Sequence, residues 1–200
     1  MKCKQRGFFL DVAANDALHL SNTRMLERDL GWDGVCIEPN PQYWPGLALR
    51  RCSVVGALLG NVTGAFVKYV SYHGDKGKFS GIVGKEFDIK RVKNDSTDST
   101  KEPTVRIGDV LDFVTAPKTI DYFSFDIEGA ETLVATAFPW VEHPVMVMTV
   151  ERPKRDAIAL FKQGGLQFLR TNTFFDQTWI STQLDSFKFV GKKYNNSINK

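Results

Sequence analysis

Short apolar runs alternate with helical segments along most of this chain, and this alternation constrains its fold more than any other feature. Runs such as 8–12, 34–38 and 120–126 are rich in β-branched and aromatic residues and are too short for buried helices. Segments with helix start and stop signals separate them. Because strands that alternate with helices indicate a parallel sheet covered by helices, the sequence predicts an α/β fold with a mostly parallel sheet.

The predicted elements follow from these runs and from the positions of glycine and proline. We predict strands at 8–12, 34–38, 53–58, 65–72, 86–92, 120–126, 145–151, 166–171, 178–182 and 187–190. We predict helices at 21–30, 109–114, 129–137 and 153–164. The strands at 65–72 and 86–92 are expected to form an inserted hairpin with a mobile, glycine-rich tip at 73–84, and 93–103 is expected to be a polar loop.

Composition and charge exclude several classes of protein. The chain has 200 residues, of which 42% are hydrophobic, and this suits a single domain over residues 1–200. A core strand so close to the first residue suggests a domain cut from a longer chain. A net charge of +3 indicates no nucleic-acid partner, and no apolar stretch reaches the roughly 20 residues of a membrane span.

The cysteines indicate the redox state of the cellular compartment in which the protein folds. Cys3, Cys36 and Cys52 are odd in number and have no metal-ligand spacing. We predict reduced thiols rather than disulfides, as expected in a reducing compartment. The residues before the first strand lack the length and the cleavage site of a signal peptide. These features together predict a cytoplasmic protein.

The residues that end the second predicted strand indicate a nucleoside site. In open parallel sheets, ligands bind beyond the carboxyl ends of the strands. Glu38 stands at such an end, where an acidic side chain can accept hydrogen bonds from the hydroxyls of a ribose, and Pro39 and Asn40 continue the segment. The alternative is an exposed strand end followed by a proline-stiffened turn.

The turn after the first strand selects among nucleosides. No glycine occurs in 8–30, whereas a dinucleotide pyrophosphate needs glycines for close backbone approach, so NAD is disfavoured. S-Adenosylmethionine carries no phosphate, and its amino acid end needs carboxylate acceptors and amide donors. The groups that could supply them are Asp11, the backbone after Ala13, Asn15 and Asp16. The alternative is that these residues only build the turn.

Four motifs in this chain resemble the FkbM family of class I S-adenosylmethionine-dependent methyltransferases. They are FFLDVAANDA, SNTRMLERDLGWDGVCIEPNP, IDYFSFDIEGAE and VMVMTVERP, and the resemblance covers most of 7–155. It implies a Rossmann-like, seven-stranded sheet with one antiparallel strand, Glu38 as the ribose ligand, and DIEGAE beside the methyl group. The chain departs from the family at Ala13 and Ala17, where the family has glycines, and a methyl group at Ala13 would crowd the cofactor.

Methyl transfer to an alcohol requires that the acceptor oxygen be aligned with the methyl–sulfur bond and that its proton be removed. The candidates are Asp126, Glu128, Glu151 and His73. Clustered carboxylates supply a general base or bind a divalent cation, and the metal-free route is favoured because Arg152 would repel a cation. The structural alternatives are helix caps for Asp126 and Glu128, an ion pair for Glu151, and an exposed loop position for His73.

The resemblance implies an O-methyltransferase that acts on a hydroxyl of a sugar or glycan and releases S-adenosylhomocysteine. Two other hypotheses remain open at this point. In one, Asp126 and Glu128 hold a metal and the diphosphate of a nucleotide sugar, so that the protein is a glycosyltransferase. In the other, motivated by Ala13 and Ala17, the chain is a non-catalytic binding module. The oligomeric state is left open.

Overall fold

The first part of the fold alternates strands and helices. The computed structural model of the chain describes residues 4–90, 99–172 and 176–186. The elements up to residue 55 are β1 (Phe8–Val12), α1 (Arg24–Leu30), β2 (Asp33–Ile37), a 3₁₀ turn (Pro41–Tyr43), α2 (Trp44–Leu47) and β3 (Ser53–Val55). Gly31 ends α1 in the left-handed conformation with φ of 65°, as its position predicts.

The rest of the chain adds eight strands and three helices to the described structure. These elements are β4 (Leu58–Gly60), β5 (Phe66–Val70), a 3₁₀ turn (Gly74–Phe79), β6 (Gly81–Ile82), β7 (Ser99–Arg106), α3 (Ile107–Phe113), β8 (Ile120–Phe125), α4 (Glu131–Thr136), β9 (Val145–Glu151), α5 (Arg155–Gln163), β10 (Leu166–Thr171), β11 (Asp176–Ser181) and a 3₁₀ turn (Thr182–Ser186). The strand predicted at 187–190 lies outside the described residues.

A seven-stranded mixed sheet forms the centre of the molecule, in the order β10-β11-β9-β8-β1-β2-β3. The four strand pairs from β9 to β3 are parallel, and β11 runs antiparallel to both of its neighbours. Leu10, Phe123 and Met148, from three adjacent strands, are fully buried, so the core lies on these central strands. The seven strands and the single antiparallel strand implied by the family resemblance are both present.

A second sheet replaces the predicted hairpin. Its order is β4-β7-β5-β6, so β5 pairs with β7 and β6 rather than with residues 86–90, where Ile89 forms an isolated bridge with Val83. The prediction of a polar loop at 93–103 is wrong for Ser99–Pro103, because β7 occupies these residues, while 93–98 lie outside the described part. A strand with a solvated face needs apolar residues only at alternate positions, so β7 escapes a search for apolar runs.

The predicted strand at 53–58 is divided between the two sheets. β3 pairs with β2, the chain turns at Gly56, and β4 then pairs with β7. A side chain at Gly56 would meet the Trp44 ring, since a Cβ there would lie 2.5 Å from a ring atom. Gly56 therefore allows the second sheet to lie close beside the carboxyl ends of β1 and β2.

Cys36 and Cys52 form a disulfide, so the prediction of reduced thiols is wrong for this pair. The parallel pairing of β2 with β3 brings the two residues to a Cα–Cα distance of 6.1 Å, within the usual range for a disulfide. Sequence spacing carries no sign of this pairing. This disulfide removes the basis for predicting a reducing compartment. Within the described residues, no helix has the length and apolar character needed to cross a membrane.

Candidate active site

The carboxyl ends of four adjacent strands meet at one edge of the main sheet. Val12 at the end of β1 is paired with Ile37 of β2 and with Phe125 of β8, and Phe125 is paired with Val150 of β9. The residues that follow these positions form one row across the edge. They are Ala13, Glu38, Asp126 and Glu151.

Glu38 is held by backbone groups from both sides. One carboxylate oxygen accepts a hydrogen bond from Asn15 N at 2.8 Å, and the other accepts one from Asn40 N at 2.7 Å. The residue is only 4% exposed, and burial, followed by the charge of Asp11, raises the pKa of its carboxyl to about 7 although both N–H groups lower it. Each oxygen retains a second acceptor position.

The turn after β1 arranges backbone amides around this carboxylate. Asn15 also receives a hydrogen bond on its side-chain oxygen from Asp16 N at 2.7 Å. Asp16 instead accepts from Leu18 N and His19 N, both at 2.8 Å, and these bonds hold its pKa below the ordinary value. The Asp16 carboxylate is thus engaged within the turn.

Asp11 and Asn40 are also engaged by protein groups. Asp11 is 3% exposed and accepts a hydrogen bond from the Thr23 hydroxyl, and its burial raises its pKa to about 6. Asn40 is fully buried and donates to Tyr72 O at 2.9 Å and to Ser80 Oγ at 3.0 Å. The Asn40 side chain therefore ties the segment after β2 to the second sheet.

Asp126, Glu128 and Glu151 converge at the other end of the row. One carboxylate oxygen from each lies within 4.8 Å of the other two. The pKa of the Asp126 carboxyl is raised to about 8. The causes are loss of solvation among the surrounding protein atoms, a hydrogen bond with Glu151 and the charge of Glu151. Burial and the charge of Glu151 raise the pKa of Glu128 to about 7. Convergence of the cluster therefore favours the protonated forms of Asp126 and Glu128.

Arg152 and Glu131 support this cluster. Arg152 Nη2 lies 2.9 Å from a Glu151 oxygen and 3.6 Å from an Asp88 oxygen. Glu131, at the start of α4, accepts from Ile127 N and Gly129 N, both at 3.2 Å, and so fixes the turn that carries Glu128. The Arg152 guanidinium partly neutralises the carboxylates and would repel a cation bound to them, as predicted from the sequence.

Two cavities open along the row. The first, the apolar cavity, has a volume of about 40 Å³, which is smaller than a usual small-molecule site, so the cavity must widen to take a ring. It is lined by Val12, Ala13, Ile37, Pro39, Ala57, Leu58, Leu59, Tyr69, Ser80, Gly81, Ile82, Ile127 and Ala130. The second, the acidic cavity, is lined by Asp11, Ala13, Ala14, Asn15, Leu20, Asn22, Lys78, Phe79, Ser124, Asp126, Glu128, Glu151 and Arg152. Ala13 belongs to both and separates them.

The structure does not bring His73 to the carboxylates. His73 is exposed and lines a groove on the far side of Tyr69, together with Trp44 and Glu102. Glu38 does not line either of the two cavities. Its chain neighbours Ile37 and Pro39 line the apolar cavity, and Asn15, which donates to it, lines the acidic cavity.

Backbone strain concentrates at the acidic cavity. Seven non-glycine residues of the described chain have positive φ, and five of them line this cavity: Ala13, Asn15, Leu20, Glu128 and Arg152. Such conformations cost about 1 kcal/mol or more each and persist where surrounding structure imposes them. Ala13, with φ of 56°, occupies a conformation that glycine adopts freely, which explains why a glycine would suit this position.

Sequence reasoning missed the contribution of the second sheet and of the turn before β6. Tyr69 and Ser80 line the apolar cavity, and Lys78 and Phe79 line the acidic cavity. No motif marks these residues, because they come from a segment whose strand pairing was wrongly predicted. The sequence predicted a strand around Tyr69, but it did not predict which strands pair with it.

An open α/β sheet with cavities and clustered carboxylates at its carboxyl edge is the usual arrangement of a small-molecule binding site. The family model of the methyltransferase FkbM domain matches residues 11–136, more than half of the chain. The chain therefore belongs to the FkbM methyltransferase family. None of the curated proteins compared matches it at a significant level.

Proposed function

We propose that this methyltransferase is S-adenosylmethionine-dependent and methylates a hydroxyl of a sugar or glycan. The observation that carries the cofactor assignment is the buried Glu38 carboxylate, held by Asn15 N and Asn40 N between the two cavities. A carboxylate with an open acceptor position on each oxygen is suited to the two hydroxyls of a ribose. The sugar acceptor rests on the family resemblance.

The two cavities and Glu38 suit the purine, the amino acid end and the ribose of S-adenosylmethionine. The aliphatic walls of the apolar cavity suit a purine ring, and the acidic cavity offers Asp11 and Asn15 to the amino acid end. Between them, a small shift of the strained turn at Ala13 would open Glu38 to the ribose. When bound, S-adenosylmethionine supplies an electrophilic methyl group.

The carboxylate cluster then has the task of removing the acceptor proton. Asp126 lies beside Glu151, and burial, a hydrogen bond with Glu151 and the charge of Glu151 raise the pKa of the Asp126 carboxyl to about 8. A carboxyl with a raised pKa is the better base when ionised, and Asp126 would take the proton of the acceptor hydroxyl as the oxygen–carbon bond forms and the methyl–sulfur bond breaks to release S-adenosylhomocysteine. Arg152, 2.9 Å from Glu151, holds that carboxylate in place. We favour this metal-free route over a cation bound by the same three carboxylates.

Binding measurements test the cofactor assignment and separate the other hypotheses. Calorimetric titration should show binding of S-adenosylhomocysteine and none of nucleotide sugars; the reverse would favour the glycosyltransferase. Glu38→Ala should weaken binding by about 1–3 kcal/mol because ribose hydroxyls lose their acceptor. Glu142→Ala, at an exposed position after α4, is the matched control and should bind normally. Equal affinities in both variants would refute the ribose assignment.

Turnover tests the reaction itself. Transfer of labelled methyl from S-adenosylmethionine to a panel of oligosaccharides should give an alkali-stable methyl ether. Product that carries the label on protein or on a small alcohol alone would refute the glycan acceptor. Cofactor binding without transfer to any acceptor would favour the non-catalytic module.

A further inference from the structure

The wall between the apolar cavity and the groove contains a buried hydroxyl without a partner. Tyr69 is 3% exposed, and within the described residues its Oη has no hydrogen-bond partner. A buried, unsatisfied hydroxyl destabilises a folded protein, so native structures seldom retain one without a reason. Its burial also raises the pKa of Tyr69, which keeps the phenol protonated and able to donate.

The position of Ser80 indicates that the Tyr69 hydroxyl faces the apolar cavity rather than the groove. Ser80 lines the apolar cavity and is close enough to lower the pKa of Tyr69, but the two hydroxyls are not in hydrogen-bond geometry. Ser80 Oγ already accepts from Tyr72 N at 2.9 Å and from Asn40 Nδ2 at 3.0 Å, so its own hydrogen is left to donate. Two hydroxyl donors therefore sit at one edge of an otherwise aliphatic cavity.

A planar, nitrogen-containing base suits this combination of surfaces. Aliphatic side chains such as Val12, Ile37 and Ile127 cover the faces of a ring, but they do not distinguish one base from another. Selection among nucleobases requires hydrogen-bonding side chains that face the ring nitrogens. A base that lacks the matching nitrogen leaves a buried donor unpaired and therefore binds more weakly. Tyr69 and Ser80 are the side-chain hydroxyls among the residues that line this cavity.

We propose that Tyr69 Oη, which lies near Ser80, donates a hydrogen bond to a ring nitrogen of the cofactor's adenine and sets the base specificity of the site. This inference rests on the proposed function, because it requires that the apolar cavity take the adenine. It gives the second sheet a binding role, since Tyr69 comes from β5 and Ser80 from the residue before β6.

Tyr69→Phe tests the proposal because it removes the hydroxyl and keeps the ring. The probe is 5′-methylthioadenosine, titrated calorimetrically against the full chain. We expect affinity to fall about three- to tenfold, the usual effect of losing one hydrogen bond. The resistance of the free protein to urea should stay equal or rise, since an unsatisfied group is removed. Ser71→Ala is the matched control: Ser71 Oγ is also buried and unpartnered, but Ser71 lines only the groove.

The 1-deaza, 3-deaza and 7-deaza analogues of the same probe identify the nitrogen. One of them should bind the native chain more weakly and bind Tyr69→Phe with no additional loss, because the same hydrogen bond is removed twice. Additive losses for all three analogues, or an unchanged affinity of Tyr69→Phe, would overturn the proposal while leaving the proposed function intact. Failure of the native chain to bind 5′-methylthioadenosine and S-adenosylhomocysteine would overturn both.

Discussion

The ionisation of Glu38 should control cofactor affinity near neutral pH. Burial raises the pKa of this carboxyl from 4.5 to about 7 in the free protein. The ionised form accepts two hydrogen bonds from a ribose, so binding favours ionisation and releases a proton when it occurs below the pKa. Affinity should therefore rise with pH up to about pH 7 and level off above it.

The size of this effect follows from the pKa. The carboxyl is half ionised near pH 7 and about one part in a hundred ionised near pH 5, so affinity should fall roughly fiftyfold between these values. The same linkage acts on stability with the opposite sign. Because the folded-state pKa is the higher one, ionisation should cost the free protein up to about 3 kcal/mol as pH rises from about 4.5 through 7.

Titration with 5′-methylthioadenosine measures the effect, because this ligand has no group that titrates between about pH 5 and pH 8. Buffers with different ionisation enthalpies report the released proton directly. Glu38→Gln is the control: it should remove most of the pH dependence, and any slope that remains belongs to Asp11, whose pKa is about 6. A native affinity that is independent of pH, or a full slope retained in Glu38→Gln, would refute the reasoning.

Three other substitutions or treatments have defined outcomes. Ala13→Gly should raise the free energy of unfolding in urea by up to about 1 kcal/mol because φ at Ala13 is 56°, whereas Ala14→Gly should lower it; equal effects would contradict the strain. Asp126→Asn should lower turnover and leave cofactor affinity nearly unchanged, since it removes the carboxylate that accepts the proton, and chelator should leave native turnover unchanged. Loss of turnover in chelator with rescue by magnesium would establish a metal route instead. Reduction of the Cys36–Cys52 disulfide, which closes a loop with a sequence separation of 16, should cost about 3 kcal/mol of stability, and Cys52→Ser should be insensitive to reductant; a native chain equally insensitive would contradict this.

Parts of the site were predictable because strand ends can be recognised locally. The apolar runs before Glu38, Asp126 and Glu151 mark buried strands, and parallel strands place their carboxyl ends at one edge. Asp126, Glu128 and Glu151 were selected as candidates in this way, and the structure places one carboxylate oxygen of each within 4.8 Å of the other two.

Side-chain partners were not predictable. Asp16 and Asn40 carry the right chemical groups at the right edge, but local backbone amides, Tyr72 and Ser80 engage them. His73 belongs to the inserted segment, and the correct strand pairing of that segment places it in a groove away from the carboxylates. A residue type at a strand end therefore indicates a site without indicating which of its groups face a ligand.

The sequence by itself determined the alternation of strands and helices in the main sheet, the edge of that sheet where the candidate site residues lie, and the family. These properties depend on period and spacing along the chain, which are local. Tertiary structure alone decided that β7 joins β5 in a second sheet, that Tyr69 and Ser80 complete the apolar cavity, and that Cys36 meets Cys52. Each of these depends on pairing between strands or loops distant in sequence, where the register is selected by the burial of whole faces rather than by any short run of residues.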